Sequence, residues 1–229
     1  MPRAVAINVG ANTNLPGFRA PYYPDGRFEY APIPEREPTR DPVPTYADLD
    51  LSADVPDDLA GTPVHLDPEF AGVHGSEAYT YGDDHAVKAG PLSSLSPGDF
   101  LLFYATLSRR DDAPADWGAF LVGEFHVARV VTGDAYEHLD AAAKADFSSN
   151  AHVKRDPFDA RVLVGGDDDS RLFDRAVPLS APTAGTDANR LVTALSDDSG
   201  KGPWWRRPLR FDAAATASLR ERIREEQGG

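Results

Sequence analysis

The stretch that decides the fold is Ser96-Pro97-Gly98-Asp99-Phe100-Leu101-Leu102-Phe103-Tyr104-Ala105, answered after a polar interval by Gly118-Ala119-Phe120-Leu121-Val122-Gly123-Glu124-Phe125-His126-Val127. Pro97-Gly98-Asp99 is turn chemistry, and the apolar run that follows has strand length and no helical stripe, so it reads as a strand buried on both faces. The second run is its partner, and Arg109-Arg110-Asp111-Asp112 between them marks an exposed loop. Leu95 to Val131 is thus expected to form the central β-hairpin of an α+β domain.

Working outward, Ala4 to Val9 reads as a strand ending in the polar loop Gly10-Ala11-Asn12-Thr13-Asn14. Arg27 to Ile33, introduced by Pro24-Asp25-Gly26, is expected to pair with it as an N-terminal hairpin. From Pro32 to Pro68 proline recurs every few residues and forbids a long helix or a central strand, which leaves a surface-wrapping segment with helical turns near Tyr46–Leu49 and Asp67–Phe70. Beyond the hairpin, Asp134 is placed to cap a helix whose stripe is Tyr136, Leu139, Ala143 and Phe147. A strand over Ala160–Val164, a helical stretch around Asn189–Leu195 and a C-terminal helix from Asp212 to Gly228 complete the reading. The 229 residues are expected to form one elaborated domain, divided into an N-terminal hairpin (3–35), a Pro-rich wrap (36–94), the central hairpin (95–131) and helical and C-terminal elements (132–229).

The net charge of −14 rests mainly on aspartate, while lysine occurs only at Lys88, Lys144, Lys154 and Lys201. That composition suits concentrated salt, where self-repulsion is screened and hydrated carboxylates maintain solubility. It argues against a basic groove driven by counterion release, so recognition of a nucleic acid would rest on stacking and hydrogen bonds. The absence of cysteine removes disulfides, thiolate nucleophiles and thiolate metal ligands. With no signal peptide and no apolar run of about 18 residues, the expectation is a protein of a high-salt cytoplasm with no membrane partner.

Several groups offer chemistry. Alternation places Phe120, Val122, Glu124, His126 and Ala128 on one face of the second hairpin strand, so Glu124 could orient the His126 ring for proton transfer; a solvated or internally bonded pair is the structural alternative. Asn8, Asn12 and Asn14, with Arg19, Tyr22, Tyr23 and Arg27 close behind, could read and stack a base, or could simply form Asx-turns and pack. Asn150 and His152, followed by Lys154 and Arg155, lie in a loop between a helix and a strand, where asparagine could equally be a C-cap. Trp204-Trp205-Arg206-Arg207 is the most aromatic and basic patch of the chain, and Trp204 with Arg206 could stack or clamp a ligand, although one indole of such a pair is expected to close a core. The six histidines show no local ligand spacing, so no metal and no cofactor are expected; Asp167-Asp168-Asp169-Ser170 could hold Mg²⁺, but in this composition an aspartate run reads as a solvated face.

The run Ser96 to Tyr104 with Gly118 to Gly123 resembles the corresponding hairpin of the PUA, ASCH and EVE/YTH-like pseudobarrels. Taken with Asn8-Val9-Gly10-Ala11-Asn12-Thr13-Asn14, Pro24-Asp25-Gly26-Arg27-Phe28, Pro32-Ile33-Pro34-Glu35 and Asn150-Ala151-His152, the whole chain resembles the nucleotide-modification-associated domain families, the third type above all. The resemblance implies a mixed β pseudobarrel with peripheral helices and a role beside nucleic-acid base modification. It also implies a pocket for a nucleobase, nucleotide or nucleic acid, a modified base included.

The resulting expectation is recognition or processing of a nucleobase or nucleotide. The alternatives are an enzyme using Glu/His acid–base chemistry, for which Glu35, Glu124, His126 and His152 are the candidates, and a non-catalytic interaction domain. The asparagine loop, Glu35, Tyr104 and the Asn150–His152 loop are expected to line one pocket, with Asn12 and His152 on the same face.

Overall fold

The computed structural model describes residues 1–52, 55–111, 116–179, 195–196 and 208–228. Its centre is the expected hairpin, β6 (Phe100–Arg109) antiparallel to β7 (Trp117–Thr132), with Phe100 opposite His126 and Ser108 opposite Trp117. Around it runs a mixed sheet in the order β10-β1-β6-β7-β8-β5, formed with β1 (Ala4–Asn8), β5 (Thr80–Asp83), β8 (Val162–Gly166) and β10 (Leu209–Phe211). Two further strands join from the side, β2 (Pro21–Tyr22) on β6 and β9 (Arg171–Pro178) on β7. A separate short pair, β3 (Ile33–Pro34) and β4 (Val64–His65), belongs to the Pro-rich wrap. Five α-helices complete the described residues: α1 (Ala86–Ser93), α2 (Gly133–Glu137), α3 (Ala141–Ala145), α4 (Ala151–Lys154) and α5 (Ala213–Gln227). None of these is long and apolar enough to cross a membrane.

The strand β6 is apolar on both faces because it separates two cores. Leu101, Phe103, Ala105 and Leu107 enter one, with Phe70, Tyr81 and Phe125, and Phe100, Leu102 and Tyr104 enter the other, under Leu219 and Ile223 of α5. The helix α5 starts as expected, with the Asp212 side chain accepting a hydrogen bond from Ala215 N at 2.8 Å.

The sheet is mixed and large, as expected of an α+β chain, and among the described strands its path does not close on itself. Several expectations are corrected. β1 does not pair with Arg27–Ile33; it lies parallel to β6 and antiparallel to β10, because a strand buried along four of its five residues needs neighbours on both edges. The single helix expected after Asp134 is two, since Thr132 caps the first and Asp140 the second, and their apolar residues Tyr136, Leu139 and Phe147 still share one small core. Asp67–Phe70 is not helical.

In β7 a bulge breaks the alternation. Phe103 faces Gly123 while Tyr104 faces Leu121, which leaves Val122 as the extra residue. Phe120 and Val122 therefore point into the same core as Phe125 and Val127, and Glu124 and His126 fall on the other face. The two stay together, as expected, but part company with Phe120 and Val122.

Candidate functional site

The segments around β5, at one end of the sheet order, build a polar cluster. Pairing of β3 with β4 sets Ile33 opposite His65 and so brings Glu35 beside it. Two residues beyond His65, Asp67 turns under β5, where both of its oxygens accept from Gly82 N, at 2.9 and 3.1 Å. From the far side α4 delivers His152, and the Asn150 side chain does two jobs: Oδ1 accepts from His152 N at 3.0 Å as the helix N-cap, and Nδ2 donates to Asp67 Oδ1 at 2.9 Å. A side chain at Gly82 would force α4 to shift, since a Cβ would lie 2.7 Å from His152 Cδ2 and 2.9 Å from Asn150 Oδ1.

Each histidine is held from behind by a carboxylate. His65 Nδ1 donates to Glu35 Oε2 at 2.6 Å and His152 Nδ1 to Asp159 Oδ1 at 2.7 Å. Arg155 bridges those two acids, donating from Nη2 to Glu35 Oε1 at 2.9 Å and from Nη1 to Asp159 Oδ2 at 2.7 Å. The Nε2 atom of each ring faces Asp67 Oδ2, at 3.9 Å from His65 and 3.7 Å from His152. Glu35, His65, Asp67, Asn150, His152 and Arg155 are all less than one-tenth exposed.

Burial of this kind moves the titrations. Desolvation pushes the Asp67 carboxyl up to about 7, against the pull of His152 and of the hydrogen bonds from Gly82 and Asn150. Desolvation also acts on Glu35, but the hydrogen bonds from His65 and Arg155 prevail and bring it down to about 2. Burial lowers His65 below the usual histidine value, whereas at His152 the hydrogen bond to Asp159 and the charge of Asp67 outweigh it and hold the ring above that value.

His65, Asp67 and His152 open into a cleft of about 410 Å³, a volume in the ligand-binding range, whose other walls include Asn8, Asn12, Tyr81, Asp83 and Arg155, with Arg36 and Lys88 at the rim. A second cleft of similar size adjoins it across Asn8, Asn12 and Leu15 and is lined by Thr13, Asn14, Arg19, Thr106 and Trp117. In it the Arg19 guanidinium lies 4.7 Å from the Trp117 ring centre.

Of the residues singled out by sequence, Asn8, Asn12 and His152 meet in the first cleft, and Asn14 and Arg19 join Asn8 and Asn12 in the second. Asn12 also forms the Asx-turn foreseen as its structural alternative, accepting from Asn14 N at 2.9 Å. Glu35 and Asn150 stand behind the floor and touch its residues without lining it. Tyr104 is fully buried in the core beneath α5. Tyr22 stacks on Phe120 with ring centres 4.3 Å apart, Tyr23 donates to Glu29 Oε1 at 2.6 Å, and Arg27 pairs with Asp25 on the surface. Glu124 and His126 face α5, where Arg220 Nη1 lies 3.0 Å from Glu124 Oε2 and 3.1 Å from His126 Nε2 while its guanidinium covers the Phe100 ring. Trp204 and Arg206 lie outside the described residues.

Sequence reasoning missed His65, Asp67 and Asp159, and named Arg155 only as a neighbour of His152. One signal was available, because Val64-His65-Leu66-Asp67 alternates and puts His65 and Asp67 on the same side of an extended segment. Local spacing could not bring His152 to them. Three groups of side chains among the described residues are disposed to hold a metal ion. His65, Asp67 and His152 form the buried one, while Asp83, Asp84 and His85 lie toward the rim and His126, Asp167 and Asp169 on the far side.

Fold and site together define an α+β domain with a ligand-sized polar cleft at one edge of a mixed sheet. The chain belongs to the nucleotide modification associated domain 3 family, whose profile matches residues 3–222. No curated protein and no solved structure matches it.

Proposed function

We propose that the protein processes a nucleobase or nucleotide in the cleft above His65, Asp67 and His152. The observation that supports this reading best is the convergence of two imidazole nitrogens and one buried carboxylate on the cleft floor, each held by further hydrogen bonds from behind. Desolvating such groups is costly, and a site that only reads a base has no need of them. The family's association with nucleotide modification supports a nucleobase or nucleotide as the substrate class. The Asn8 and Asn12 amides on the wall offer both a donor and an acceptor to a base edge, and Arg36 and Lys88 at the rim suit a phosphate.

A second reading, a non-catalytic reader of a base, is favoured by the adjoining cleft, where Arg19 and Trp117 offer a stacking platform. One experiment separates the two. The full chain is incubated in molar KCl, with and without divalent metal salts, with nucleosides, nucleotides and single-stranded oligonucleotides, and both binding and product mass are followed. Conversion that disappears in Asp67→Asn supports processing. Binding without conversion that survives Asp67→Asn and is lost in Trp117→Ala supports the reader. No binding across the panel overturns both.

A further inference from the structure

The geometry points to a divalent transition-metal site formed by His65 Nε2, Asp67 Oδ2 and His152 Nε2, with coordination positions left open toward the cleft. Each of the three residues offers one ligand atom that lies within 4.8 Å of the other two. The two nitrogen-to-oxygen separations, 3.7 and 3.9 Å, are too long for hydrogen bonds and only slightly wider than the ~3.0–3.5 Å that separates neighbouring ligands about 2.1 Å from one ion. An inward movement of a few tenths of an ångström by each side chain brings these two nitrogen-to-oxygen separations into that range.

Three further features point to the same use. Both rings give their Nδ1 protons to carboxylates, Glu35 and Asp159, which is the supporting arrangement that fixes a ligating histidine's tautomer and orientation and raises its basicity. Arg155 ties those two supports together, so both rings are oriented by one network. Charge bookkeeping gives the third feature. Three carboxyl groups, Glu35, Asp67 and Asp159, surround the two rings against the single guanidinium of Arg155, and a divalent cation would offset that excess.

Two imidazoles and one carboxylate select first-row transition ions such as Zn²⁺ or Fe²⁺ over Mg²⁺ and Ca²⁺, which prefer oxygen alone. Because all three residues also line the cleft, the ion would meet water or a ligand there, as at a catalytic centre with open positions and unlike a closed structural site. The site shares the cleft of the proposed function but does not rest on its substrate, so failure to bind any nucleotide would leave the metal site standing.

The test uses the full chain, stripped with a chelator and titrated separately with Zn²⁺, anaerobic Fe²⁺, Co²⁺ and Mg²⁺. Calorimetry gives the stoichiometry, the Co²⁺ visible spectrum reports ligand type, and melting of the ion-loaded protein reports linkage. The expected result is one equivalent of Zn²⁺, Fe²⁺ or Co²⁺ per chain, a rise in Tm of several degrees and affinity for Mg²⁺ lower by at least 100-fold. His152→Ala and the milder Asp67→Asn should each weaken binding 100-fold or more, while His126→Ala, at the exposed alternative group, leaves it unchanged. The comparison between Zn²⁺ and Fe²⁺ identifies the preferred ion. Absence of stoichiometric binding by the folded wild-type chain, preference for Mg²⁺, or loss in His126→Ala with retention in a folded Asp67→Asn would overturn the proposal.

Discussion

Replacing Arg155 by methionine keeps an aliphatic stem and removes the guanidinium that joins the two halves of the site. Three close hydrogen bonds go with it, Nη2 to Glu35 Oε1 at 2.9 Å, Nε to the same oxygen at 3.1 Å and Nη1 to Asp159 Oδ2 at 2.7 Å. Breaking a buried pair by deleting one partner costs about 3–5 kcal/mol. Two features place this case near the lower limit. Glu35 keeps His65 Nδ1 and the backbone N–H groups of Arg36 and Glu37, at 2.6, 2.8 and 2.9 Å, and Asp159, whose side chain is 29 % exposed, can be rehydrated. The expected loss is therefore about 3 kcal/mol, equivalent to roughly 1.5 M in urea midpoint for a slope of about 2 kcal/mol/M.

Salt gives this prediction its edge. Surface pairs fade when the Debye length falls to about 3 Å in molar salt, whereas a pair shielded from solvent does not. The loss should thus be similar at the lowest salt at which the chain folds and in molar KCl, and Arg155→Met combined with Glu35→Gln should be non-additive by at least about 1 kcal/mol. A loss under about 1 kcal/mol, or one that vanishes in high salt, would refute the claim that a buried guanidinium holds the site together.

Other substitutions test other parts of the structure. Gly82→Ala should cost about 1–3 kcal/mol by pushing α4 away from β5, read by denaturation, with weaker ligand binding in the cleft as its companion. Phe103→Ala, which removes a fully buried ring packed on Phe70 and Phe125, should cost about 3–5 kcal/mol, measured the same way. Arg220→Met should destabilise the chain by about 1–2 kcal/mol, because buried Glu124 loses its 3.0 Å partner but keeps Arg171 at 3.4 Å, and should leave the proposed ligand binding in the cleft intact in a calorimetric titration.

The hairpin was legible because its signal is local. Phe100 to Ala105 is apolar at every position, which only a strand between two cores explains, and the Pro97-Gly98-Asp99 turn sets where it starts. The cap at Asp212, the helical turn at Tyr46–Asp48 and the juxtaposition of Asn12 with His152 were legible for comparable reasons. The parity of β7 was not, because a one-residue bulge reverses every side chain beyond it and Val122 carries no mark of being the extra residue. The partners of β1 were equally hidden, since strand pairing depends on which edges are free once the hairpin has formed.

By itself, then, the sequence determined the central hairpin, the α+β class, the net negative charge and a family resemblance that the profile match over residues 3–222 bears out. Tertiary structure alone decided the site. His65 and His152 come from segments 87 positions apart, and each depends on an acid from somewhere else again, Glu35 across the β3–β4 pair and Asp159 beyond α4. The physical reason is range. Propensity and periodicity act over a few residues, whereas the orientation of a buried ring is set by whatever the packed chain brings within about 3 Å of its nitrogens.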